Sequence, residues 1–404
     1  GRQTLSGNIT GASNTAIGFY ALSVNTASNN TAVGYHSLLQ NTTGTQNTAV
    51  GGCSLNANTS GANNVAIGVQ ALDSNTTANE NVAVGRCSLF SNTEGTKNIA
   101  IGSYSLDTNS TGDSNIAIGY QALDANITAD NNVAIGDSAL KANTTGASNT
   151  ALGTVALLKN TTGVENVAIG QSALCSNTTT GGNVAIGYNS QYLAVGGLTN
   201  VSIGPSSFPA ALTGADNTGV GAAVGISLTS GSNNLLLGHD AGRTGSPGGS
   251  ISTVSNRIVL GDENITAANI QVDWSVASDQ RDKTDFNNLD LGLDFVNKLN
   301  PVTYKWDKRS KYNKDLSVTP TGKYKQDFLD IGFKAQEVEA LEIEAGYNKN
   351  NKTNLTVNVS ENGKQYSMQY AKFVPVLVNA IKELKTQNDN LITRIETLES
   401  KWVN

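Results

Sequence analysis

Residues 14 to about 240 repeat one short pattern of polar and apolar positions. Its marker is the glycine closing an A-I-G-like triplet. It stands first at Gly18, then at Gly34, and then every seventeen residues to Gly238, fourteen glycines in all. An Asn lies four residues before each of the fourteen, from Asn14 to Asn234. Ala or Ser follows three residues after the glycine in thirteen of them. Leu comes next in the first ten, from Leu22 to Leu174, and a second Asn lies seven after the glycine in the same ten, from Asn25 to Asn177.

Seventeen residues are too few for a helix pair or a propeller blade. They suit one coil of a β-solenoid or β-roll, with two short strands and two turns. The alternation in Asn64-Val65-Ala66-Ile67-Gly68 predicts that Val65 and Ile67 face the core with Leu72. Ala66 and Gly68 then form a flat outer face that another backbone can approach. Asn and Gly at the corners predict turns with positive φ, and stacked Asn side chains predict ladders along the axis. About three apolar side chains per coil make a thin core, so three chains sharing one core are expected. The repeat loses phase after Gly238, a Gly- and Ser-rich loop follows over 241–250, and Asn256–Gly261 reads as a degenerate last unit.

Charge then divides the chain. Residues 1–277 hold 7 Lys/Arg and 14 Asp/Glu, whereas residues 278–404 hold 19 and 18. With a net charge of −6 and no basic cluster, nucleic acid is not an expected partner. No run of 18 apolar residues occurs, so membrane insertion is not expected. No signal-peptide pattern is seen, and the start at Gly1 without Met is expected of a fragment or processed chain. Three Cys (Cys53, Cys87, Cys175) are no disulfide scaffold, and Cys53 and Cys87, two coils apart, lie ~9.6 Å from each other, too far to bridge. His36 and His239 lack ligand-like spacing, so neither a metal nor a cofactor is expected. The Asn-x-Thr sequons are products of the repeat rather than glycosylation sites. Gly219-x-Gly221 falls in the repeat phase rather than in a phosphate loop. The acidic residues Asp73, Asp107 and Asp124 fall at variable positions, which disfavours a glycan-degrading centre.

The last residues carry a heptad. Leu377, Leu384, Leu391 and Leu398 take the d positions, and Ile381, Asn388, Ile395 and Trp402 the a positions. Ile at a, Leu at d and one polar Asn388 predict a parallel coiled coil. Ahead of it stand Ser278-Asp279-Gln280-Arg281-Asp282-Lys283, then Gly292-Leu293, and Leu299-Asn300-Pro301-Val302-Thr303-Tyr304-Lys305-Trp306. Ile331-Gly332-Phe333-Lys334-Ala335-Gln336-Glu337-Val338 follows, then Tyr370, Pro375 and Ala380–Leu384. Trp306, Tyr304 and Phe333 are expected in a core. Gln336 and Glu337 are expected to cap a helix near Ala335 or to touch another subunit. The Asn/Lys-rich stretch 348–354 is expected to be an exposed loop, and Lys305–Lys314 a solvated face.

These motifs together resemble the C-terminal intramolecular chaperone of endosialidase-type phage tail spikes and fibres. The repeat, with Asn-Val-Ala-Ile-Gly verbatim at 64–68, 132–136, 166–170 and 183–187, resembles the heads of trimeric autotransporter adhesins. The resemblance implies a mainly β fold: a trimeric β-roll or β-solenoid of about fourteen repeats, then a small α+β chaperone domain ending in a trimeric coiled coil. The implied domains are a shaft at 1–240, a neck and junction strand at 241–277, the chaperone at 278–375 and the coiled-coil helix at 376–404. It implies that Ser278 is a nucleophile, Lys283 its general base and Ala277–Ser278 the scissile bond, with Asp279 and Arg281 in support. The base would be a buried Lys, whose pKa burial lowers. Asp282 departs from the bulky or apolar residue expected before Lys283, and its carboxylate favours a charged Lys and slower cutting.

The implied function is a structural virion protein, a tail fibre or spike for host attachment. Its partners would be two further copies of itself, a host-surface glycan or protein receptor, and other tail proteins. Its location would be the virion, with a precursor in the host cytoplasm. Enzymatic activity would be single-turnover self-cleavage, without external substrates. The competing expectation is a non-cleaving trimeric adhesin on a cell surface.

Overall fold

The computed structural model describes residues 1–404 except 211–212, 272–274, 314–315, 349, 351–352, 354, 361–362 and 403–404. Most of the expected loop at 348–354 and Lys314 of the expected solvated face therefore lie outside the described residues. The chain divides into two compact units. One holds Gly1–Arg243 and Ile251–Asp262, and the other Thr244–Ser250 and Glu263–Asn404.

The first unit is a β-solenoid. Fifteen three-residue strands, β1 (Thr15–Ile17) to β15 (Ile258–Leu260), form one parallel sheet in sequence order. Neighbours pair in register at equivalent repeat positions, as in Val133↔Thr150, Ala134↔Ala151 and Ile135↔Leu152. The step from β14 (Leu235–Leu237) to β15 is longer because the Gly/Ser-rich loop intervenes. The first residues already follow the repeat path: the Leu5 N–H donates to the Ala21 carbonyl at 3.1 Å. The array thus begins one unit before Gly18.

Two expectations about the coil are corrected. Each coil has one strand, not two, and the rest is turn. The strand also sits the other way round. Ala66 and Leu72 are fully buried, whereas Ile67 is 41% exposed. The cross-section is small, so Ala fills the strand's inner face and Leu reaches in from the turn. That Leu carries a left-handed backbone, +50° at Leu22 and +53° at Leu123. The conformation costs about 1–2 kcal/mol per residue, and burial of the Leu side chain returns about 1.5–3 kcal/mol.

Asn ladders line the interior as expected. The Asn132 N–H donates to Asn115 Oδ1 at 3.0 Å, and Asn132 Nδ2 donates to the Gly146 carbonyl at 3.0 Å. In the second ladder Asn126 Nδ2 donates to Asn109 Oδ1 at 2.8 Å and to the Ala129 carbonyl at 3.0 Å. These bonds satisfy polar groups that no water reaches. The marker glycines take φ from +107° (Gly238) to +144° (Gly68), and a Cβ at Gly68 would collide with the Gly85 carbonyl oxygen. Any side chain there would separate the coils.

The second unit is α+β. It holds α1 (Leu293–Lys298), β16 (Val302–Tyr304), β17 (Asp330–Gly332), α2 (Ala335–Glu344), β18 (Val357–Val359), β19 (Tyr366–Met368) and α3 (Phe373–Trp402). β16 pairs antiparallel with β17, and β18 with β19. Leu291, Phe295, Val338, Val357, Phe373 and Val376 form its core, against which Phe333 packs. Trp306 is not in that core, which corrects the expectation. It lies exposed just past β16, its Nε1–H donating to Asp330 Oδ2 at 3.1 Å. Tyr304 is partly buried and meets Trp306 edge-on. The helix near Ala335 begins where expected, and Glu337 pairs with Lys334 at 2.7 Å.

Candidate self-cleavage site

A short 3-10 turn over Gln280–Asp282 folds the chain back on itself just after Ala277. Asp279 caps it: its Oδ1 accepts the Arg281 N–H at 2.9 Å. The Arg281 guanidinium grips the same carboxylate, with Nη2 2.6 Å from Oδ2. These bonds to Arg281 hold the Asp279 carboxyl below the ordinary carboxylate range. The turn closes with the Lys283 N–H on the Gln280 carbonyl at 3.2 Å.

The result is a contact between residues five apart. Lys283 Nζ lies 2.6 Å from Ser278 Oγ and 3.4 Å from the Ser278 carbonyl oxygen. The hydroxyl and its partner nitrogen are thus within the reach that a nucleophile–base pair needs. Arg281 is engaged by Asp279, so of the two supporting residues one clamps the other and shapes the turn. Among the described residues the ammonium makes no ion pair with Asp282. Ala277, Ser278 and Lys283 are all exposed. The expected burial of the lysine is not met within one chain: Lys283 is exposed, and none of the described residues covers it.

The heptad residues Leu377, Ile381, Leu384, Asn388, Leu391, Ile395 and Leu398 all lie on α3, and all are exposed, Ile381 at 65%. Only the first turns of α3 are covered, through Phe373, Val376 and Ala380.

Three anchoring contacts escaped sequence reasoning. Asn379 Nδ2 donates to the Leu289 and Leu291 carbonyls at 3.2 and 3.0 Å. Glu383 Oε2 accepts the Leu293 N–H at 2.7 Å, capping α1 from ninety residues away. Gly292 admits that carboxylate, because a Cβ there would overlap it. The motifs Gly292-Leu293 and Ala380–Leu384 are two halves of this one joint. Elsewhere the longer last coil brings together His239, Asp240 and Asp262, despite the spacing that made a cluster unexpected. His239 Nδ1 lies 3.0 Å from Asp240 Oδ2 and 3.9 Å from Asp262 Oδ2, and Arg243 pairs with Asp240 at 2.6 Å. The arginine marks this as an ion-pair network.

A search of curated proteins found no match to the chain. Residues 278–347, which open at the Ser278 of the Ser278–Lys283 contact and end after α2, match the family model described as chaperone of endosialidase.

Proposed function

We propose that the chain is a homotrimeric viral tail fibre or spike whose second unit assembles three copies and then cuts itself off at Ala277–Ser278. The observation that carries the reading is the 2.6 Å contact between Lys283 Nζ and Ser278 Oγ, made by the first residue of the matched segment. The uncovered heptad face of α3 supports the assembly step, since a row of Leu and Ile at a and d positions is covered by other helices of its kind.

In the cutting step Ser278 Oγ attacks the Ala277 carbonyl carbon, and its proton passes to a neutral Lys283 amine. The C–N bond breaks, the Ser278 nitrogen takes up a proton, and an ester remains on Oγ. Water then hydrolyses the ester, leaving a carboxylate at Ala277 and restoring the hydroxyl. The step needs the unprotonated amine, which withdrawal from water favours. Association of copies around this exposed turn would supply that burial, so assembly precedes cutting. Coiled-coil association also raises the effective concentration of the solenoids for one another. Loss of the second unit afterwards makes the product kinetically stable. Host attachment by the solenoid, through a surface glycan or protein, belongs to the same reading, as do contacts with other tail proteins and a place on the virion.

The test is the mass of the purified chain under denaturing conditions. Wild type is expected to lose a C-terminal fragment beginning at Ser278, and Lys283→Ala to stay intact. If both remain intact, self-cleavage is refuted and the non-cleaving adhesin is the better reading. If both are cut, Lys283 is not the base.

A further inference from the structure

The bond Ala277–Ser278 does not lie at the edge of a compact unit. The second unit takes in Thr244–Ser250 and then runs unbroken from Glu263 to Asn404. Two of its segments, 244–250 and 263–277, therefore precede the bond and would stay joined to the solenoid once it is cut.

Both segments are held by residues beyond the bond. Lys308 Nζ donates to the Glu263 carbonyl at 2.5 Å, and Lys311 Nζ donates to Asn264 Oδ1. Hydrogen bonds from an ammonium are among the stronger ones. Thr266 lines one cavity with Trp306, Lys308, Lys311, Tyr324 and Gln326. The loop before β15 is seated as well. Ser246 is fully buried, a Cβ on Gly245 would come within 2.9 Å of the Ser310 Cβ, and one on Gly249 would lie 2.7 Å from Gln365 Oε1. By contrast 265–271 and 275–277 are exposed throughout. The bond thus sits on an exposed tether whose two ends belong to one packed body. Cutting such a tether removes a covalent link and leaves the packing in place.

We propose that Lys308 and Lys311, with Ser310, Ser360 and Gln365 beside them, form a docking seam for 244–250 and 263–266, so that the fragment beginning at Ser278 stays bound to its own product after cutting. The proposal rests on the self-cleavage reading above. Cutting and departure are then two events, and the seam sets the second. In a homotrimer three seams act together, and the fragment leaves only when all three have opened, which slows its departure.

The test reads two quantities from one sample of the full chain. Mass under denaturing conditions reports cutting, and native mass spectrometry reports whether the piece from Ser278 onward travels with the rest. A second chain carries Ser278→Ala and a site for a specific protease inserted between Ala268 and Asn269, on the exposed tether. Both chains, once cut, are expected to remain whole in native mass. Adding Lys308→Ala and Lys311→Ala should release the fragment roughly tenfold faster or more, since two charged hydrogen bonds are lost. Pieces that part as soon as the tether is cut overturn the seam and leave self-cleavage standing. A wild-type chain that stays uncut overturns self-cleavage, and the inserted site then still decides the seam. Release that the two lysine changes do not hasten refutes their part in the hold.

Discussion

Near the end of the solenoid the repeat changes three residues together. Phe208 replaces the repeat's Leu and is fully buried. One coil later Gly219 stands where ten consecutive strands, β2 to β11, have a fully buried Ala, and Gly225 stands where a Leu is expected. A Cβ at Gly219 would lie 2.5 Å from Phe208 Cζ and 2.9 Å from Val224 Cγ1, and one at Gly225 would overlap the Phe208 ring. The ring has thus taken the space of two side chains. Restoring the repeat residue normally stabilises a protein. Here Gly219→Ala is expected to destabilise by about 1–3 kcal/mol, the cost of overpacking a closed core. Phe208→Leu alone should also destabilise, because it leaves a hole between two glycines. The triple change Phe208→Leu, Gly219→Ala, Gly225→Leu should recover most of both losses, giving a strong favourable coupling. Amide hydrogen exchange in β12 to β14 is the assay, since it reads local opening where one global transition is not defined. Protection should fall roughly 5- to 150-fold in Gly219→Ala, the equivalent of the stated energy. Unchanged or greater protection there would refute the compensation.

Other consequences concern single side chains. Asn126→Ala removes two donated bonds and leaves buried partners unpaired, so a loss of about 2–4 kcal/mol is expected; exchange rates across β6 to β8 that do not change would contradict it. Burial, and then the neighbouring Asp124, push the Asp107 carboxyl above its ordinary range. Its folded pKa lies above the unfolded value of about 3.9, so folding gains stability as pH falls through that window and loses it as pH rises above it. Asp107→Asn is therefore expected to raise amide exchange protection in β6 and β7 at pH 7, and the gain should vanish below about pH 4; a gain independent of pH would contradict this. Lys283 Nζ is engaged by Ser278 Oγ and, among the described residues, not by Asp282, so Asp282→Asn should leave the half-time of fragment release unchanged; a severalfold change would count against that arrangement.

The seventeen-residue glycine period was enough to read off the coil count, the parallel register and the Asn ladders, because each follows from which residues recur at one slot. It was not enough to tell inside from outside. Alternation in Asn64–Gly68 marks two faces, but the width of the coil decides which is the core, and in a narrow coil Ala66 fits where Ile67 does not. The second segment was misread as a strand because Leu72 adopts φ +52°, a conformation with no signature in residue type. The pairing of Ser278 with Lys283 was expected only through the resemblance to the endosialidase-type chaperone, since a Ser and a Lys five residues apart are by themselves an ordinary polar turn. The hold of Glu383 on Leu293 and the approach of His239 to Asp262 depend on packing across long loops, and no local pattern announces either.

The reading stands or falls on how many copies the uncleaved chain contains. Native mass spectrometry of the full chain carrying Ser278→Ala, which keeps the second unit attached, should show three copies. Charging the heptad with Leu384→Asp and Ile395→Asp should abolish that species. A single copy in the Ser278→Ala chain would contradict both the coiled-coil assembly and the expectation that three chains share one core.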